Sequence, residues 1–390
     1  MKKAAKTLMN IKKLIAILTA ALIAVTAVGC GRVTEEDTAK QGERLVIAFR
    51  RDNTGTIKKI LERFADSRGI SVKLMELSDR SAENHRILSS VLAGNEVTVD
   101  VMIVEDILMK EFVAVGYLKP LDKSVSLDAA QYPSRFSDII YDKKTLYGVP
   151  FELDAGVMFY RSDITDGTLN YMQLLDMPSL SYSIQGVDDE EMVCVVQECV
   201  RLAGGVREGV QLYKELVENS EYASDNYLTD FKSGNAAYAR SWTSSNRLVQ
   251  DNFGVVRGKV KTKLPIKDGR VYSTARAYCV TVNKCLDRDK NADTNALLEY
   301  LLRDDVQLEL VKGLGTLPIK YSYYDNPMVR DYNEYNEEIA GRLDELNYRA
   351  ADKSYFRYSD AAQKAVREYI DGSGTLDDAA AAMQKTMETD

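Results

Sequence analysis

Leu45 to Phe49 (LVIAF) is an unbroken apolar run of strand length. Ile57, Ile60, Leu61 and Phe64 then recur at the three- and four-residue spacing of one helix face, before Gly69 supplies a stop. The alternation repeats. Val72 to Leu77 reads as a second strand, Ile87 to Leu92 lies in a second helix ended by Gly94, and Val99 to Val104 is a third strand. Strands alternating with helices predict an α/β fold with a mostly parallel sheet. Ligands of such sheets bind outside the carboxyl ends of the strands. That rule directs attention to Arg50, Arg51, Asp52 and Asn53 after the first strand, and to Glu105 and Asp106 after the third.

A helical stretch follows near Asp128 to Ile140, and then two extended runs, Leu146 to Phe151 and Gly156 to Tyr160, which read as a crossing between two lobes. From about Ser162 to Asn252 the pattern is largely helical, with short strands at Tyr182 to Gln185, Ala236 to Ala239 and Val260 to Leu264. Val271 to Val282 is extended again, and helices at Ala292 to Leu302 and Val306 to Val311 are placed to rejoin the first sheet. Beyond Asp325 the chain is helical. Ser359 is a candidate cap for a helix ending at Gly372, and Thr375-Leu376-Asp377-Asp378 offers a capping-box-like start to the last one. Two interleaved lobes joined by several crossings use these alternations best.

The amino terminus has a different pattern. Met1 to Lys13 carries five lysines and no acid, and Leu14 to Val28 is apolar apart from two threonines. This is the pattern of a secretory signal, and no later stretch reaches the roughly 20 apolar residues of a membrane span. Ala27-Val28-Gly29-Cys30 resembles a bacterial lipobox, which implies removal of residues 1–29 and a lipid on Cys30. Residues 30–43 then form a polar tether. The alternative is a plain cleaved signal whose Cys30 pairs with another cysteine. Cys194, Cys199, Cys279 and Cys285 suffice for up to two disulfides, among which the sequence does not choose.

Composition narrows the chemistry. Of 390 residues, 51 are Lys or Arg and 59 are Asp or Glu, a net charge of −8 that disfavours nucleic acid as a partner. With one histidine and five cysteines, a His-rich zinc site lacks ligands and a Ser or Cys triad would rest on His85 alone. His85 itself reads as a surface residue of the second helix. Phosphate-loop, dinucleotide and EF-hand signatures are missing from the sequence, so the expectation is no cofactor and no metal site.

Several segments resemble the extracellular solute-binding lipoproteins of ATP-driven sugar importers, the large maltose-binding-protein-like family. They are LAGNEVTVDVMIVED (Leu92 to Asp106), FVAVGYLKPLD (Phe112 to Asp122), LYGVPFELDAGVMFYRSDI (Leu146 to Ile164), FKSGNAAYARSW (Phe231 to Trp242), LPIKDGR (Leu264 to Arg270) and LLRDDVQLELVKGLGTLPIK (Leu301 to Lys320). The resemblance implies a two-lobed periplasmic-binding-protein-like fold of type II. One lobe comprises 44–150 plus 277–322, the other 151–276 plus 323–390, with the ligand cleft between them. It also implies a monomeric, non-enzymatic receptor, lipid-anchored to the outer face of the bacterial cytoplasmic membrane, that captures a mono- or oligosaccharide and delivers it to the transmembrane subunits of a permease. Two features depart from the family. Ala275-Arg276 stands where many sugar binders have a Gly-Gly pair, and there is a single tryptophan.

A sugar groove needs an aromatic plate and polar groups that replace lost water contacts. Trp242 is the candidate plate, with a core or interface tryptophan as the alternative. The resemblance places Glu152 and Asp154 at the cleft floor as acceptors for hydroxyl groups. The same carboxylates would serve a glycosidase, but they share one strand face where such enzymes use two elements. Arg50, Arg51, Asp52, Glu105, Asp106 and Arg276 are further candidates, and two arginines in one groove would favour an acidic sugar; solvated arginines, or pairs with Glu105 and Asp106, are the alternative. Among 23 tyrosines, Tyr272 beside the second crossing is the preferred groove residue. Competing functions are a binder of another small polar solute, a sensor serving a membrane kinase, and, more remotely, a glycan-active enzyme.

Overall fold

The computed structural model describes residues 45–94, 99–167, 170–177, 181–184, 189–220, 222–223, 227–250, 254–333, 335–349 and 352–388. The proposed signal, Cys30 and the tether lie outside the described residues.

Strands β1 (Leu45–Phe49), β2 (Val72–Glu76) and β3 (Val101–Glu105) pair in parallel, with Ile47 opposite Leu74 on one side and Val101 on the other. They are connected by helices α1 (Thr56–Arg68) and α2 (Ser81–Ala93). The spacing of Ile57, Ile60, Leu61 and Phe64 puts all four on the buried face of α1. Gly69 then ends the helix at φ 66°, a conformation a residue with a Cβ adopts at a cost.

The sheet departs from the mostly parallel expectation at its centre. The two predicted runs are one continuous 13-residue strand, β4 (Val149–Arg161), buried throughout. The middle order is β2-β1-β3-β9-β4-β7-β5-β6, with β5 (Tyr182–Ile184), β6 (Tyr222–Ala223), β7 (Tyr238–Trp242), β8 (Val260–Lys263) and β9 (Thr274–Val282). Strand β9 runs antiparallel to both β3 and the first half of β4, while the second half of β4 pairs antiparallel with β7 and β8. A long-range return of the chain places β9, and local periodicity carries no signal for its direction. A short strand β10 (Asn347–Tyr348) adds in parallel to the start of β9.

Helices α3 (Asp189–Ala203), α4 (Val206–Asn219), α5 (Asn291–Leu301), α6 (Asp304–Leu314), α7 (Tyr355–Asp371) and α8 (Leu376–Met387) cover the sheet. A larger apolar cluster surrounds β1, β3, β9 and the first half of β4, and a second surrounds α3 and α4 with Met158, Tyr160 and Tyr238. Thr375 caps α8 through the amide of Asp378, as its motif predicts. Ser359, in contrast, does not cap α7. Burial of Tyr355 and Phe356 extends that helix toward its amino end, and the Ser359 hydroxyl faces inward.

Candidate functional site

Glu152 and Asp154 are two residues apart on β4 and therefore share a face, as do Arg276 and Tyr278 on β9. The register sets Arg276 directly opposite Asp154 and Tyr278 opposite Glu152. Around this square the carboxyl end of β1 brings Arg50, the end of β3 brings Glu105 and Asp106, the end of β7 brings Trp242, and the first turn of α3 brings Glu190 and Glu191.

Arg50 holds Glu152 with a two-pronged fork, Nε to Oε1 at 2.5 Å and Nη2 to Oε2 at 3.0 Å, and its guanidinium lies 5.1 Å from the Tyr278 ring centroid. Burial pushes the Glu152 carboxyl above its usual range, although Arg50 opposes the shift.

Asp154 accepts bonds from the Ser244 amide at 3.1 Å, the Ser244 hydroxyl at 2.6 Å, the Thr243 hydroxyl, and Arg276 Nη2 at 3.3 Å. Arg276 Nη1 donates to Glu191 at 2.9 Å, and the Trp242 indole N–H donates to the other Glu191 oxygen at 2.5 Å. Trp242 is 3% exposed, and the guanidiniums of Arg276 and Arg240 lie 4.3 and 4.4 Å from its ring centroid. Its ring is thus a platform for arginines of the chain itself.

A third group centres on Arg349, which has no exposed side-chain surface. It reaches Glu105 at 2.7 Å, Asp106 at 2.5 Å and Glu190 at 3.0 Å. Burial raises all three carboxyls, but at Glu105 the charges of Arg349 and Arg276 and the Ser81 hydroxyl prevail and hold it below its usual range. Asp106 is pushed up to about 6 because burial and the neighbouring Glu105 outweigh Arg349. Glu190 is also raised by burial, while Tyr355 and Ser359 donate to it. Behind Trp242, Arg240 pairs with Glu198 at 2.7 Å, and Glu198 also accepts the Thr274 amide at 2.8 Å. Gly156 lies against this pair. A Cβ there would come 2.3 Å from Glu198 Oε1 and 2.4 Å from Arg240 Nη2.

The candidates Glu152, Asp154, Arg276, Trp242, Glu105 and Asp106 therefore lie in one cluster of three neighbouring groups of ion pairs and hydrogen bonds, centred on Arg50, Arg276 and Arg349. Arg51 and Asp52 do not bond to it among the described residues. Arg51 is exposed and pairs with Glu76 and Asp79, while the Asp52 carboxylate accepts the amides of Thr54 and Ile57 at the start of α1. Tyr272 is half-buried and packs against the second apolar cluster. His85 is not the surface residue expected. It is half-buried, bonded to Glu111 at 2.8 Å and stacked on Phe356 at 4.2 Å, because α2 packs against the start of α7 through its ring. Sequence reasoning missed Glu190, Glu191, Arg349, Ser244 and the Arg240–Glu198 pair. Arg240 inside the strand-like run AAYARSW is the one signal on which it could have drawn.

Among the described residues no cluster of His, Cys, Asp and Glu is arranged to hold a metal ion. Cys194, Cys199, Cys279 and Cys285 are free thiols. No described helix is long and apolar enough to cross a membrane.

Two family models match the chain, over residues 51–177 and 180–337, and both describe bacterial extracellular solute-binding proteins. The chain belongs to this family. Among solved structures, maltose-bound MalE3 of T. maritima superposes with a TM-score of 0.78 at 20% identity, covering 88% of this chain and 98% of that one. The GacH receptor of Streptomyces glaucescens, known unliganded and with acarbose, gives 0.74 at 19% identity over 88% and 98% of the two chains. UgpB from Mycobacterium tuberculosis in complex with glycerophosphocholine gives 0.72 at 16% identity over 87% and 96%. The fold is accordingly the two-lobed α/β architecture of MalE-like binding proteins.

Proposed function

We propose that the protein is the exported solute-binding component of an ATP-driven importer, and that it captures a neutral carbohydrate or polyol at the group formed by Arg50, Glu152, Asp154, Glu191, Trp242 and Arg276. The observation that carries this reading is a graded exposure. The side chains of Arg50, Arg276 and Glu191 are 20%, 19% and 31% exposed, while Glu152 and Asp154 behind them are at 2% and 3%. Donors and an acceptor are thus presented outward and fixed from behind by charge-assisted bonds, which lowers the ordering cost of holding a hydroxyl-rich guest.

Charge argues for a neutral guest. Arg50 and Arg276 already face Glu152, Asp154 and Glu191, so their charges are compensated within the chain before a sugar carboxylate could meet them. The same engagement of Glu152 and Asp154 supports binding without turnover, since both are tied to donors on their own chain. With one lobe taken as 44–150 plus 277–322 and the other as 151–276 plus 323–390, the Arg50–Glu152 and Arg349–Glu105 pairs span the lobes. Closure around a solute by hinge motion fits that placement. Residues 1–29 serve as export signal, Cys30 as lipid attachment point and 30–43 as tether, so that a monomer held at the outer face of the cytoplasmic membrane meets the permease subunits.

Isothermal titration of the full chain against neutral oligosaccharides, polyols and a uronic acid tests the reading. Saturable heat with a neutral compound, lost in Glu191→Gln and Arg276→Gln, is expected. Binding of the uronic acid in preference to its neutral counterpart would overturn the proposed charge selection, and unchanged affinity in both variants would overturn the site.

A further inference from the structure

A cavity of about 520 Å³ lies where β10 meets α3, α8 and the helix Ser134–Ile140. Its cationic lining comprises Lys110, Arg135, Lys143, Arg201 and Arg349. Arg135, Lys143 and Arg201 are exposed at the rim, and Tyr348 and Arg349 are buried beneath them. No carboxylate lies within ion-pair distance of Lys110, Arg135, Lys143 or Arg201 among the described residues. Lys110 donates instead to the Tyr141 carbonyl at 2.5 Å. Of the acids in the lining, Asp344 accepts from Tyr321 and the Ser134 amide and Glu345 from the Val271 amide, which leaves Asp138 as the acid without such a bond. Two buried donors, Tyr348 OH and Arg349 Nε, have no hydrogen-bond partner among the described residues.

This arrangement is unfavourable as it stands. Arg135 and Arg201 come from separate elements and line the same cavity, where partial desolvation together with the charge of Arg135 lowers the Arg201 pKa. Lys110 is likewise lowered by burial, which outweighs the opposing charges of Asp142 and Asp138. Like charges facing each other, and buried donors with nothing to bond, both cost stability unless a ligand compensates them. A tetrahedral oxyanion supplies what is missing, because guanidiniums grip it with paired N–H groups and its remaining oxygens accept from further donors.

We propose that this cavity is a second binding site, separate from the solute group, for a small oxyanion of the phosphate type, held between Arg135 and Arg201 with Lys110 and Lys143 adding charge. The volume suits inorganic phosphate or a small phosphorylated metabolite rather than a polymer. The site does not depend on which solute the Trp242 group takes.

The test uses the full chain and sodium phosphate, with sodium sulfate and glycerol phosphate as further arms. Saturable heat is expected for phosphate, with an accompanying rise in thermal midpoint. Equal binding of sulfate identifies a general oxyanion site, and tighter binding of glycerol phosphate identifies a phosphorylated metabolite as the natural ligand. Arg201→Gln and Arg135→Gln should each weaken phosphate at least about tenfold, a loss of about 1.4 kcal/mol. Because each removes a repulsive charge, neither should lower the midpoint in phosphate-free buffer, so folding and binding are read separately. Trp242→Phe should leave the phosphate affinity unchanged. Absence of saturable binding below about 10 mM, or binding that survives Arg201→Gln and Arg135→Gln combined, overturns the site.

Discussion

Arg276 joins the Trp242 ring to two carboxylates: its guanidinium carbon lies 4.3 Å from the ring centroid while its terminal nitrogens reach Glu191 at 2.9 Å and Asp154 at 3.3 Å. Glu191 closes a loop by accepting the indole N–H of the same tryptophan. Three side chains from β7, β9 and α3 are thereby fixed to one another, and movement of any one is felt by the other two. Such a loop explains how a surface rich in flexible side chains can present a fixed pattern of polar groups.

Trp242→Ala should cost about 3–5 kcal/mol of stability, since a nearly fully buried ring is lost together with its two guanidinium contacts. Trp242→Phe keeps a six-membered ring but loses the donor to Glu191 and part of the buried ring surface, a smaller effect of about 1.5–3 kcal/mol. Urea denaturation of both variants checks the order. Trp242 is also the sole tryptophan, so its fluorescence reports this site without background, and a solute that binds here should change it.

Asp106 makes stability depend on pH with a definite sign. Its folded pKa of about 6 lies above the ordinary 3.8, so the folded state takes up its proton more readily than the unfolded chain. The resulting stabilisation is fully present below about 3.8 and is lost as pH rises through 6, a span worth at most about 3 kcal/mol. Asp106→Asn keeps an oxygen for the Ile107 amide and removes the titration. The difference in unfolding free energy between wild type and Asp106→Asn, measured from pH 4 to 8, should shift in favour of the variant as pH rises. A flat difference would place the titration elsewhere.

The sequence was informative where contacts are local. The α1 face and its Gly69 stop follow from spacing within one element, and the β1, β2 and β3 segments are legible in the β-α alternation. Long-range pairing was not legible. Nothing near Thr274–Val282 announces that β9 will lie antiparallel between β3 and β4, and the placement of Arg276 against Asp154 depends on that register. Arg349 was missed for a related reason. It follows the two-residue strand β10, and its carboxylate partners lie at Glu105, Asp106 and Glu190, 159 to 244 residues earlier in the chain. Arg51 and Asp52, adjacent to Arg50, show the limit of position alone: three consecutive polar residues leave one strand, and only Arg50 is drawn to a buried carboxylate.

Thiol reactivity should separate the four described cysteines. Cys194, Cys199 and Cys279 are buried, and burial pushes each thiol well above its usual pKa, so the nucleophilic thiolate is suppressed. Cys285 is exposed. Brief maleimide treatment of the native protein followed by peptide mapping should modify Cys285 and spare the other three, which should react only after denaturation. Rapid native labelling of Cys194 or Cys199 would show that α3 opens far more readily than its packing implies.

Gly156 sits at the point where β4 leaves β9 and joins β7, opposite Trp242, and the buried Arg240–Glu198 pair fills the space a side chain would need. Neither ion can retreat toward water, since their side chains are 1% and 0% exposed. Gly156→Ala must therefore either part the pair or bend β4, and it should destabilise the protein by about 3 kcal/mol or more. The backbone at Gly156 is not in the left-handed region, so conformational strain contributes little and the loss measures the collision itself. Gly341→Ala is the matched control, as no atom lies within 4 Å of its Cβ and its φ is negative, and it should change stability by less than about 0.5 kcal/mol. Thermal and urea unfolding of the two variants give the comparison. Equal stability would mean that the Arg240–Glu198 pair yields at low cost and does not brace the ring of Trp242.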